Sequence, residues 1–409
     1  MEAGIKVLPR KQFGMFFAIT GAIILALAIV LWYTLNPNVF YELAIYVGMV
    51  GAGALYYGSN QMFARKYKDG EVELSKENTK TFLLNNAIII SLLLLVVVIM
   101  VIEPRFMQLN VLLDILTMSS TKMIVALGIC FTLLIAGTDL SAGRMVGLAA
   151  VVSTSMLQNP DYANRFFPDL PMLPVILPII IAVLATAAFG VLNGFLVAKF
   201  DMHPFIATLA VSVIVYGANS LYFDMDPNKS QPIGGIRKDF IFLGQKKLLE
   251  IGDFPGISIL VPIAILFILL VWFILNKTVF GKNVYAIGGN REAAIVSGVN
   301  VFKTTMGIFV LAAVLYGIAG ILEAARTAGA TNNYGNSYEL DAIAACVVGG
   351  VSLSGGVGKV SGIVSGVLIF TVIQYGLQFI AVSPMWQQVI KGVIIAVAVA
   401  IDLMKHRKN

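Results

Sequence analysis

The feature that most constrains this chain is its succession of long apolar blocks. Stretches such as 82–102, 172–198, 257–276 and 305–326 each hold 20 to 27 residues with almost no charge. Some 18 or more apolar residues in a row have the length of a bilayer-spanning helix. Inside lipid every backbone N–H and C=O must be satisfied within the protein, and only helices or closed barrels do that. A barrel would need strands of about ten residues with alternating hydrophobicity, and that pattern is absent. Composition agrees: the mean hydropathy is +0.89 and 12% of residues are charged, against about 25% in soluble domains. The expectation is an all-α polytopic membrane protein.

Read along the chain, the blocks give about 12 transmembrane helices, near 13–33, 39–60, 82–102, 111–136, 144–157, 172–198, 203–223, 257–276, 305–326, 342–356, 359–381 and 386–402. Several are short for a span. Lysine and arginine collect on the cytoplasmic side of membrane proteins. Lys6, Arg10 and Lys11 precede the first block and place the N-terminus in the cytoplasm. An even number of spans returns Lys405-His406-Arg407-Lys408 at the C-terminus to the same side. Segments 64–81 and 277–304, both rich in lysine, also fall cytoplasmic. Segment 224–256 falls outside although it holds Lys229, Arg237, Lys238, Lys246 and Lys247; Asp224, Asp226, Asp239, Glu250 and Asp253 offset them. The first block is too long for a signal peptide and shows no small-residue cleavage site before Trp32-Tyr33, so it reads as a retained helix. The polar break at 64–81 separates a two-helix preface with its loop, residues 1–80, from the main body, 81–409.

Several function classes find no support. The net charge of +6 follows from membrane topology rather than from a nucleic-acid partner. Cys130 and Cys346 sit inside apolar runs and read as small buried hydrophobes, with neither metal spacing nor a disulfide framework. The two histidines, His203 and His406, have no nucleophile or ligand pattern beside them, so no catalytic set and no metal site emerges. The stretch Ser352-Leu353-Ser354-Gly355-Gly356-Val357-Gly358-Lys359 imitates two nucleotide motifs at once: the signature loop of ATP-binding-cassette (ABC) ATPases and a phosphate-binding loop. It satisfies neither. A P-loop needs G-x-x-x-x-G-K-[S/T] between a strand and a helix, whereas Lys359 is followed by Val360 and Leu353 stands where the first glycine belongs.

That stretch has a different relative within the chain. Gly137-Thr138-Asp139-Leu140-Ser141-Ala142-Gly143 and Gly350-Val351-Ser352-Leu353-Ser354-Gly355-Gly356 share the pattern G-x-[D/S]-L-S-x-G. Each lies between apolar runs, each is followed by a basic residue, Arg144 or Lys359, and both turns face the same side in the assigned topology. A weak internal repeat with interrupted helices is a transporter pattern, because irregular backbone is tolerated in a bilayer only where it lines a cavity. Gly137, Gly143, Gly350, Gly355 and Gly356 are then the glycines of the helix breaks.

The cytoplasmic segment 277–304 reads as a short helix. Gly288-Gly289 supplies a turn, Asn290 an N-cap, Glu292 a carboxylate in the first turn, Ala293 and Ala294 helix formers, and Gly298 a stop. Such a helix runs about two turns, or about 10 Å. It is either a plain connector or a stiff lever seated in a cleft of another protein. Small alanines favour close docking.

At these residues the chain resembles a family. Glu292-Ala293-Ala294-x-x-x-Gly298 is similar to the coupling motif of permeases in binding-protein-dependent ABC importers, and FGKNVYAIGGNREAAIVSGVNV to its form in the ribose/galactose branch of sugar permeases. AGTDLSAGRMVGLAAVV and NNYGNSYELDAIAACVVGGVSLSGGVG narrow the resemblance to galactose/methyl-galactoside permease subunits. It covers about residues 80–405; the two-helix preface departs from the ten-helix core expected of that family. The resemblance implies a subunit of the bacterial inner membrane that is no enzyme itself. A second copy would share the path, a cytoplasmic ATPase subunit carrying ATP and Mg would bind the coupling helix, and an external sugar-binding protein would deliver the sugar. Galactose or a methyl-galactoside is the implied cargo; ribose or a sugar-like signal is the alternative.

Polar groups in apolar spans are costly and are the natural path candidates. Asp139 and Ser141 lie on the first break, and Asn332, Asn333, Tyr338, Glu339 and Asp341 flank the helix that leads to the second. Amides, hydroxyls and carboxylates suit a neutral polyol. Asp139 could instead cap the following helix or pair with Arg144; Glu323 and Arg326 are spaced to pair on one helix; Asn193 and Asn219 could bridge helices; and Lys391 could snorkel to the surface. An ion-coupled secondary transporter also has repeats and broken helices, but needs no capped lever at 291–297.

Overall fold

The computed structural model describes residues 6–34, 51, 55, 71–74, 95–96, 98–250 and 254–406. The helix expected at 39–60 apart from 51 and 55, most of that at 82–102, and the polar loop 64–81 except 71–74 lie outside the described residues. The chain divides into two compact units, 1–112 and 113–409.

In the first unit β1 (Lys6–Pro9) pairs antiparallel with β2 (Glu71–Leu74), placing Lys6 opposite Leu74. α1 (Arg10–Thr34) follows β1 directly. Its 25 residues rise about 37 Å, enough to span a bilayer. The ribbon sets part of the polar break beside the start of α1, as a shared side of the membrane requires.

Among the described residues, the elements of the main body are helical apart from one small ribbon. α2 (Leu109–Leu134), α3 (Ala142–Ser155), α4 (Ile176–Phe200) and α5 (Pro204–Phe223) come first. A lateral α6 (Lys238–Gln245) and a small ribbon of β3 (Lys247–Leu248) with β4 (Ile257–Ser258) follow. α7 (Leu260–Lys277), α8 (Val279–Gly289), α9 (Arg291–Val296) and α10 (Val301–Thr327) come next. α11 (Tyr338–Val348), α12 (Val360–Phe379) and α13 (Pro384–His406) close the chain. Among the described residues, α2, α4, α5, α7, α10 and α12 are long and apolar enough to cross a membrane.

Burial sorts these helices. The apolar window of α2 is 78% buried within the chain and that of α10 67%, but that of α7 only 22%. α7 is also the most apolar, with Leu266, Leu269 and Phe273 exposed. A helix apolar all round with little protein cover is solvated by lipid. α10 instead packs on α3 and α4. Helices approach closely in membranes where small residues face a neighbour. Here the α4–α10 contact rests on Gly190 against Ala313 and Gly317 against Thr186. α2 is held by the Tyr316 ring lying on Gly128 and by the Cys346 thiol donating to the Ala126 carbonyl at 3.4 Å.

The interrupted helices are real, but their order differs from the sequence motif. α3 has 14 residues and α11 has 11, about 21 and 16 Å of rise, each short of a core about 30 Å thick. A full helix, a break, a half helix and a full helix occur as α2–α3–α4 and again as α10–α11–α12. The break that corresponds to 135–141 is therefore 328–337, not 349–359, which follows a half helix instead of preceding one. The helix expected at 342–356 starts earlier and stops at Val348. It stops because Gly349 and the left-handed Gly350 (φ 84°) end it, with the Val351 N–H bonding the Cys346 carbonyl.

The loops gather at two ends. Segments 135–141, 201–203, 278–300 and 349–359 share one end: Asp201 pairs with Arg291 at 2.7 Å, Pro204 lies on Gly137, and the Gly356 N–H bonds the Leu134 carbonyl. Bridges Gln158↔Ile236 and Ile233↔Ala330 join the loops of the other end. In that second group, the basic residues of 224–256 are partly neutralised on the spot, Arg237 by Asp239 and Lys229 by Asp226.

Candidate functional site

The two half helices begin beside each other. α11 starts at Tyr338 and α3 at Ala142, and Gly143, in the first turn of α3, abuts the Gly335 carbonyl and the Glu339 carboxylate. Segment 331–337 turns back from the far end of α10 to reach this point, since the Tyr334 carbonyl also touches Gly147. Gly143 is thus a helix residue selected for close approach; a side chain there would overlap Glu339. Two helix N-termini meet where the carboxylates of Asp139 and Glu339 stand, and carboxylates favour that end of the helix dipole.

The first break is tied by its own side chains. Asp139 is 1% exposed, and its Oδ1 accepts from the Ser141 N–H at 2.9 Å and the Ser141 hydroxyl at 2.6 Å. Asn193 Nδ2 donates to Ser141 Oγ at 2.8 Å, and the Thr208 hydroxyl serves both Leu140 N–H and the Thr138 carbonyl. Asp139 therefore organises the turn before α3 and does not pair with Arg144. Asn193 bridges helices, as its place in an apolar span predicts.

Arg144 is the one residue of α3 that is not fully buried. Its guanidinium lies 4.3 Å from the centre of the Tyr216 ring and donates to Asn336 Oδ1 at 3.0 Å and Asn333 Oδ1 at 3.4 Å. Asn332 Nδ2 reaches Ser220 Oγ at 3.5 Å. Asp139, Ser141, Asn333 and Glu339 thus lie around the start of α3, with Arg144 and Tyr216 among them, while Asn332 sits against α5.

Tyr338 and Asp341 belong to a second neighbourhood on the other face of α11. The Tyr338 hydroxyl donates to Glu323 Oε1 at 3.2 Å, Thr121 Oγ1 donates to Glu323 Oε2 at 2.6 Å, and Arg326 closes on the same carboxylate at 2.6 Å. The i, i+3 pair of Glu323 and Arg326 is present as the spacing predicts. Asp341 is paired with Lys391 at 2.9 Å. Lys391 therefore does not snorkel to the surface; a buried anion is nearer. Beside it Lys122, deep in α2, donates to Gln374. The sequence reading missed Lys122, although a lysine inside an apolar span is itself the signal.

α9 stands at the end of the body that it shares with 135–141 and 349–359. Asn290 Oδ1 accepts the Ala293 N–H at 2.9 Å, and Gly298 ends the helix with φ 84°. The cap and the stop fall where the sequence places them. Two details differ. Gly288 and Gly289 are the last residues of α8 rather than a flexible turn. Ala294 is buried against its own chain at 3% exposure, while Glu292, Ala293, Ile295 and Val296 face out, Val296 at 89%. The outward surface of α9 therefore presents Ala293, Ile295 and Val296 beside Arg291 and Glu292. Tyr285 of α8 donates to the Gly358 carbonyl at 2.9 Å; burial pushes its phenol up to about 12, so it remains a donor at neutral pH.

Comparison with known proteins bears on this arrangement. The sequence profile of the family described as "Branched-chain amino acid transport system / permease component" matches residues 111–399. A galactose/methyl galactoside import permease of Haemophilus influenzae is 48% identical over 336 residues, covering 82% of this chain and 99% of the relative. That of Escherichia coli K12 is 48% identical over the same shares. A ribose import permease of Bacillus subtilis is 36% identical over 305 residues, 75% of this chain and 88% of the relative. No solved structure matches the chain.

Proposed function

The chain belongs to the branched-chain amino acid transport system / permease component family, and from that premise we propose that it is the membrane permease of an ATP-driven importer of galactose or a methyl galactoside. The higher identity to galactose than to ribose permeases, 48% against 36%, supports the choice of sugar.

The observation that carries the reading is the union, at one end of the body, of a capped outward-facing helix with the first break and the turn between α11 and α12. α9 offers Glu292, Ala293, Ile295 and Val296 to a cytoplasmic ATPase subunit, which binds ATP and Mg; Asn290 and Gly298 keep it rigid. This end lies in the cytoplasm, with both chain termini. A sugar-binding protein docks at the other end. Two copies of the chain enclose the path, each presenting Arg144 with Tyr216, Asn333 and Asn336. Amides and a guanidinium bond hydroxyls of a neutral sugar without holding it by charge, which suits release. Asp139 and Ser141 shape the break, Asn332 and Glu339 flank the path, and Tyr338 and Asp341 hold α11 from behind.

The test is uptake into proteoliposomes containing this chain, its ATPase partner and the sugar-binding protein. Labelled galactose should accumulate on ATP addition and ribose should not. Uptake that persists without ATP while ion gradients are maintained would sink this reading in favour of a secondary transporter.

A further inference from the structure

Three segments of backbone meet at the α9 end with no side chain between them. They are the end of α2 with the first break, the end of α8 that leads into α9, and the second turn between α11 and α12. The Gly356 N–H bonds the Leu134 carbonyl at 2.8 Å. A methyl group on Gly288 would overlap that same carbonyl. One on Gly355 would stand 2.8 Å from the Ala136 nitrogen and 3.0 Å from the Gly288 carbonyl oxygen. One on Gly356 would stand 3.0 Å from Gly289 Cα. Gly355 and Gly356 also hold φ of 83° and 70°, which side chains resist. Two further ties surround the junction: Tyr285 to the Gly358 carbonyl and Arg291 to Asp201.

We propose that Gly288, Gly355 and Gly356 are positioning residues for transport, packing the root of α9 directly against the α2 end and the α11–α12 turn so that α9 cannot shift without carrying both. The proposal rests on the reading of α9 as the ATPase-docking helix. Backbone in direct contact, joined by a hydrogen bond, has no rotamers in which to absorb a displacement. A push on α9 therefore reaches the break that precedes α3 and the turn that follows α11. Those two half helices begin side by side at the candidate path, so one input acts on both of its walls.

The chain supplies its own control. Gly350 has the same left-handed backbone, φ 84°, but nothing lies within 4 Å of a methyl group placed on it. Gly350→Ala therefore brings backbone strain without opening the junction, whereas Gly355→Ala and Gly356→Ala bring both. The three variants are assembled with the ATPase and the binding protein, and sugar moved per ATP hydrolysed is measured. Gly355→Ala and Gly356→Ala should lower that ratio about tenfold or more while ATP hydrolysis continues; Gly350→Ala should stay within about twofold. Equal losses in all three would overturn the proposal, since strain alone would then explain them. A variant ratio equal to that of the wild type would overturn it too. Should the junction variants fail to accumulate in the membrane, Tyr285→Phe decides: it keeps the ring, removes the tie to Gly358, and should lower the ratio several-fold, an unchanged ratio counting against the junction. Absence of ATP-driven uptake by the wild type would instead strike the transport reading itself, so the two failures are distinguishable.

Discussion

Lys391 of α13 reaches the carboxylate of Asp341 in α11 at 2.9 Å, and both side chains are largely withdrawn from the surface, at 23% and 11% exposure. The pair joins the last helix of the chain to the half helix behind the candidate path. Removing one member of a buried pair leaves an uncompensated charge, whereas removing both can be nearly neutral. Partial exposure reduces the effect. Asp341→Asn and Lys391→Met should each lower stability by about 1–3 kcal/mol. The double variant should cost less than the sum of the two. Thermal unfolding in detergent, analysed as a double-mutant cycle, measures the coupling; strict additivity would show that the pair contributes nothing.

Glu323 has a heavier load. Its carboxylate accepts from Thr121, Arg326 and Tyr338 and so ties α2, α10 and α11 together. Glu323→Gln keeps the shape but loses the charge opposite Arg326. A loss of about 2–4 kcal/mol is expected, the range for breaking a buried charge-assisted set. The additional substitution Arg326→Gln should recover part of it, which the same melting assay would detect.

The buried and the outward residues of α9 should behave differently. Ala294 is buried in its own chain, so Ala294→Leu should displace α9 from the body and weaken assembly with the ATPase. Glu292 and Val296 point outward, so Glu292→Lys and Val296→Asp should leave the chain's own stability within about 0.5 kcal/mol and reduce binding of the ATPase subunit. Co-purification and the melting temperature, measured on the same samples, separate the two effects.

At the first break, an acceptor rather than a charge is what Ser141 uses. Asp139→Asn retains an oxygen for the Ser141 N–H and hydroxyl; Asp139→Ala does not. Asparagine should cost less than about 1 kcal/mol and alanine about 1–3. Equal losses would mean that the negative charge itself holds the turn. Sugar uptake by the asparagine variant then reports directly on any role of that charge in the path.

Much of this architecture was readable before any coordinates. Apolar block length fixed the membrane class and placed the long helices of the described residues to within a few positions, because burial of backbone in lipid admits so few solutions. The caps of α9 were equally legible, since Asn290 and Gly298 act on their immediate neighbours. What escaped the sequence was contact between distant segments. Nothing local to Lys391 announces Asp341, fifty residues away, and Ala294 looks as free as Ala293 until the rest of the chain covers it. The match between 137–143 and 350–356 misled as to the repeat. They do not occupy equivalent places in two halves: 137–143 leads into a half helix, whereas 350–356 follows one.

The polar interior also has an electrical consequence. Arg326 is paired with Glu323 and Lys391 with Asp341, so each of these cations has its counter-charge beside it. Moving a net charge across the membrane field costs about 2.3 kcal/mol per 100 mV. A balanced set that shifts as a block, with an uncharged sugar as cargo, does almost no such work. Uptake driven by ATP should therefore proceed at the same rate in vesicles held at zero potential and in vesicles clamped at about −100 mV, so a cell could import its sugar through this protein even after its membrane has depolarised.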